Sequence, residues 1–170
     1  TVSLSGGGTI VIGSGSTTGT YVATAQGEDV YVDATSVTKA ITSVTGGTIF
    51  ESLAFSTAAL TTSITDTVAT TSLSLAVSAA TATEATAVTY TATLTNSATS
   101  PVTVSLSGGG TIVIGSGSTT GTYVFTQGED VYADSTVIAK GIASVAGGTI
   151  FESLAFSTAA ITTSITDTVA

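Results

Sequence analysis

The feature that most constrains this sequence is an exact internal duplication. Residues 1–22, TVSLSGGGTIVIGSGSTTGTYV, recur letter for letter as residues 103–124, an offset of 102. After a one-residue deletion near 23–25, residues 46–69 match 147–170 at an offset of 101, with Leu60 against Ile161 the single difference. Residues 70–102 have no counterpart upstream. Self-similarity at a period of about one hundred residues marks a linear array of domains. The chain is therefore expected to comprise an incomplete copy at 1–69, lacking its first two strands, and a complete copy at 70–170. It reads as an excised piece of something longer.

Within a copy, apolar residues alternate. Leu73, Leu75 and Val77 share one parity, as do Val88, Tyr90, Ala92 and Leu94, then Val102, Val104 and Leu106, then Ile112 and Ile114. A period of two marks strands with one buried face. Turn signals separate them at 96–97, 108–110, 115–118, 128 and 147–148. Seven or eight strands in about one hundred residues is the pattern of an immunoglobulin-like β-sandwich, so the expected fold class is all-β, as tandem sandwiches. At most one or two turns of helix are expected, at 56–60, where alanines cluster.

Composition removes whole classes of function. Eleven acids stand against two lysines, for a net charge of −9. With no arginine or histidine, nothing would neutralise a phosphate backbone, which excludes nucleic acid and disfavours anionic membranes. No apolar run reaches the roughly 18 residues of a membrane span, and no signal peptide is visible. The absence of His, Cys and Trp closes the routes to a Ser–His–acid triad, a thiolate nucleophile and a zinc centre. Carboxylate pairs alone hydrolyse glycosides only in a cleft that neither Arg nor Trp is present to line, so no enzyme is expected. The glycine clusters do not form a phosphate loop, because residues 122–125 alternate like a strand where a helix would have to begin.

The acids themselves are more informative. Glu28, Asp29 and Asp33 fall within one short stretch, GEDVYVD, repeated as Glu129, Asp130 and Asp134. Calcium takes six to eight oxygens from carboxylates, carbonyls and water, which such a loop supplies; the competing reading is that Asp29 caps a turn and the others are solvated. Asp66 closes the first copy and Glu84 falls in a loop of the second, so a cation bridging them would stiffen the joint. Two unrelated surface carboxylates account for the pair equally well. Lys39 and Lys140 share parity with their apolar neighbours. Such a lysine faces inward against a carboxylate, forms an isopeptide bond, or guards an edge strand, the last being the commonest case.

The run ATEATAVTYTATLTNSATSPVTVSLSGGGTIVI, with GEDVYVDAT or GEDVYADST, GGTIFESL and the closing ITDTVA, resembles the tandem immunoglobulin-like extender repeats of bacterial giant RTX adhesins, of the biofilm and ice-binding type. The resemblance covers 70–170 and, without the first strands, 1–69. It implies a type I-secreted extracellular protein of the bacterial cell surface, in which repeats stiffened by Ca2+ hold an adhesive domain away from the cell. The ligands it implies are Asp29, Asp33, Asp130 and Asp134, with Asp66, Glu84 and Asp167 at the junctions. Glu28 and Glu129 stand where related repeats often carry Asp. Residues 84–86, E-A-T, replace the usual E-G-G.

Two other functions compete with the extender. One is a carbohydrate- or protein-binding module, which needs exposed aromatics, and the chain holds five Tyr and five Phe. The other is a subunit of an extracellular filament, in which a copy of residues 70–102 from this or a neighbouring chain completes residues 1–69. The expected partners are thus identical neighbouring repeats.

Overall fold

The computed structural model describes residues 1–24, 26–132 and 137–168. Apart from two single 3-10 turns, Gly47–Ile49 and Gly148–Ile150, the regular elements among them are strands, so the protein is all-β. The residues divide into two compact units: unit 1 is Thr1–Glu28 with Asp33–Thr67, and unit 2 is Asp29–Val32 with Val68–Ala170.

Unit 1 carries β1 (Val2–Leu4), β2 (Thr9–Ile10), β3 (Ser36–Lys39), β4 (Ile41–Val44) and β5 (Leu60–Ser63). They form a three-stranded sheet, β2-β1-β4, and a two-stranded one, β3-β5. None of its described residues is fully buried. The alanine-rich stretch at 56–60 forms no helix, because Leu60 opens β5 opposite Lys39. Four or five residues cannot meet the cost of nucleating a helix when a strand ladder is available.

Unit 2 carries β6 (Thr70–Val77), β7 (Thr81–Thr83), β8 (Ala87–Leu94), β9 (Val102–Leu106), β10 (Thr111–Ile114), β11 (Thr120–Thr126), β12 (Val137–Lys140), β13 (Ile142–Ala146), β14 (Ser153–Phe156) and β15 (Ile161–Thr166). Its sheets run β11-β8-β6-β14, β10-β9-β13 and β12-β15-β7. The alternation in the sequence is what makes this a sandwich. Val88, Tyr90, Ala92 and Leu94 project from one sheet, and Val102, Val104, Leu106, Ile112, Ile114 and Ile142 from another, into a single buried cluster. Each large side chain so buried contributes on the order of 2 kcal/mol.

The two units hold the same sequence in different states. Residues 120–124 lie in β11, laddered antiparallel to β8 over seven register pairs, whereas the identical residues 18–22 form no strand. Ile114 is fully buried while its duplicate Ile12 is 44% exposed. Unit 1 has no counterpart of β6 or β8 among its described residues, so the ladder and the covering face are both missing.

Candidate functional site

The acids do not act as one set. Each Asp of the duplicated GEDVY stretch closes a local turn: Asp29 Oδ1 accepts the Tyr31 amide at 2.7 Å, and Asp130 Oδ1 accepts the Tyr132 amide at 2.7 Å. A short carboxylate that bonds the backbone two residues on is the ordinary device for such a turn. Glu28 Oε2 accepts the Thr67 hydroxyl within unit 1, and Glu129 Oε2 accepts the Thr168 hydroxyl within unit 2. Asp33 and the half-buried Asp66 belong to unit 1. Asp134 lies outside the described residues.

Glu84 differs from all of these. It follows β7 in unit 2 and is only 4% exposed. Its Oε2 accepts the Thr168 amide at 3.2 Å, while its buried Oε1 has no N–H donor and meets only the Asp167 carboxyl, with which it shares a hydrogen bond when one of the two is protonated. The Thr168 amide favours the ionised carboxylate, but burial, the adjacent Asp167 and the charge of Glu129 outweigh it and hold the pKa above the usual carboxylate value. Glu84, Asp167 and Glu129 therefore share one negative locality, assembled from positions up to 83 residues apart in sequence. Among the described residues, no three or more His, Cys, Asp or Glu side chains come together in a way that could hold a metal ion, Glu84, Asp167 and Glu129 included.

The lysines occupy cradles of backbone carbonyls and aromatic rings. Lys140 is 2% exposed, and its Nζ donates to the carbonyls of Gly108 and Gly109, with the Tyr123 and Phe125 rings each 5.4 Å away. Burial lowers its pKa. Lys39 repeats the arrangement in unit 1, donating to Ser5, Gly6 and Gly7 at 3.0, 3.0 and 2.8 Å beneath the Tyr21 ring. Lys140 therefore faces inward, as one of the expectations had it, but among the described residues its partners are carbonyls and rings, with neither a carboxylate partner nor the geometry of an isopeptide bond. The signal was present in the sequence, since both copies pair a Gly-Gly-Gly turn with one lysine and one tyrosine. Successive positive φ angles at Gly108, Gly109 and Gly110 turn the carbonyls toward the ammonium.

Among the described residues, no helix is long and apolar enough to cross a membrane. A family model described as the LapA domain matches residues 1–67 and, again, 69–168. No curated protein and no solved structure matches the chain.

Proposed function

The chain belongs to the LapA domain family, and from that premise we propose that it is a length of extender rod, built of tandem immunoglobulin-like sandwiches stiffened by calcium. Membership itself carries an adhesin-related role in biofilm, of a structural and non-enzymatic kind, at the cell surface. The finer reading is that type I-secreted repeats follow one another along the polypeptide and project an adhesive domain. Two successive matches to one family model support it.

The observation that carries the calcium part is the buried Glu84 Oε1, which has no N–H donor and faces the carboxylates of Asp167 and Glu129. A buried carboxylate oxygen without a donor costs free energy that a cation removes. Glu84 and Asp167 would hold the ion, with Glu129 beside them, and the ion would tie the loop after β7 to the end of β15. Thermal melts and small-angle scattering with calcium and with EDTA test this. A higher melting temperature and a stiffer chain in calcium are expected; identical melts and scattering would overturn it.

Strand complementation is a second reading with its own observation. Unit 1 contains an open groove of about 430 Å³ lined by Leu4, Ile10, Tyr21, Val37, Ile41 and Leu60. Strands equivalent to β6 and β8 from another copy would fill it. Sedimentation at rising concentration tests it, since a chain that stays monomeric throughout does not exchange strands.

A further inference from the structure

We propose that residues 130–132 are a docking strand that inserts into a further copy of residues 70–170, as residues 29–32 insert into unit 2. The second case is visible in full. Tyr31 forms an antiparallel bridge with Phe151, the Val32 amide donates to the Ile150 carbonyl at 3.3 Å, and the Glu152 amide donates to the Val30 carbonyl at 3.1 Å. The Tyr31 and Phe151 rings stack with centroids 5.8 Å apart and planes inclined by 26°. The Tyr31 hydroxyl donates to the Ser97 carbonyl at 2.6 Å. Val30 and Tyr31 both pack against the buried core. The segment thus combines added-strand hydrogen bonds with an aromatic anchor, which is how extended peptides bind sheet edges.

Among the described residues, the duplicate of this segment has the same chemistry and no cover. Residues 127–132 repeat the sequence QGEDVY of 26–31. Its turn has the same form, with an Asp130 to Tyr132 bond equal in length to that between Asp29 and Tyr31. Yet Val131 is 80% and Tyr132 74% exposed. The Asp130–Tyr132 turn thus already has the form of its docked duplicate, which reduces the ordering left for binding. What Tyr132 lacks is a Phe151 and a Ser97 to meet, and both belong to the repeat itself. A further copy of 70–170 supplies them. The inference rests on the repeats continuing along the polypeptide, as in the extender reading, but not on calcium.

The test extends the full chain at its C terminus with one more copy of residues 70–170, in which the counterpart of Tyr132 is changed to Phe. Tyrosine nitration is mapped by mass in both chains. In the unextended chain Tyr132 is expected to react much faster than Tyr31. In the extended chain its rate is expected to fall about tenfold, toward that of Tyr31, and the equivalent of Phe151→Ala in the added copy is expected to restore it. Unchanged Tyr132 reactivity in an extended chain whose added copy shows its own unfolding transition overturns the proposal. Because the added copy is supplied in the experiment, that failure is distinct from a failure of the calcium melts.

Discussion

The Lys140 ammonium lies 5.4 Å from the centre of the Tyr123 ring while donating to the Gly108 and Gly109 carbonyls at 2.9 and 2.6 Å. A buried cation is tolerated here because oriented carbonyls and a ring face replace its water. The β9–β10 turn, β11 and β12 are thereby tied together.

Lys140→Met keeps the stem and removes the charge, leaving two carbonyls without their donor. It is expected to lower the stability of unit 2 by about 2 kcal/mol. Lys39→Met, in a cradle that is only half-buried, is expected to cost less. Urea unfolding of the two variants measures both.

Gly110 and Gly109 separate two effects of a side chain in this turn. Both have positive φ, at 106° and 83°, but a Cβ on Gly110 would lie 2.7 Å from the Tyr123 ring, whereas one on Gly109 meets nothing within 4 Å. Gly109→Ala is expected to cost about 1 kcal/mol from the backbone alone. Gly110→Ala is expected to cost clearly more and to loosen Lys140, seen as a changed near-ultraviolet tyrosine signal. Equal costs would mean that the ring gives way freely.

Ala85 adopts φ 56°, the only non-glycine residue with positive φ among those described. This is the middle position of the E-A-T stretch at 84–86. Ala85→Gly is expected to raise the stability of unit 2 by about 1 kcal/mol by relieving that strain. A drop in melting temperature would show that the turn prefers alanine.

Glu84→Gln keeps an acceptor for the Thr168 amide and removes the charge beside Asp167 and Glu129. Without calcium the variant is expected to melt at or above the wild type. Its melting temperature is expected no longer to rise with calcium. An equal rise in both proteins would place any calcium elsewhere.

Amide exchange offers an internal comparison between identical sequences. Residues 111–114 form β10 over a buried core, while their duplicates at 9–12 are half-buried or exposed. The amides of 111–114 are expected to exchange about a hundredfold more slowly. Residue-assigned NMR is needed, since peptides from the two stretches share one mass.

Much of the fold was legible in the sequence for a local reason. Side chains on a strand alternate, so the parity of Val88 to Leu94 and of Val102 to Ile114 marks buried faces wherever those strands lie. The same locality gave the Asp29 turn as one of two readings, but not its aromatic neighbour. Glu84 and Asp167 are too far apart in sequence for any pattern to join them.

An all-β chain with a duplicated stretch and without histidine, cysteine, arginine or tryptophan can be read from the residues alone, because composition, repetition and alternation need no partner. Tertiary structure alone decided which copy of TGTYV becomes a strand, that residues 29–32 belong to unit 2, and that the lysines end among carbonyls. A strand exists only when another chain segment completes its hydrogen bonds and covers its apolar face. β8 does this for residues 120–124, and unit 1 offers residues 18–22 no equivalent among its described residues.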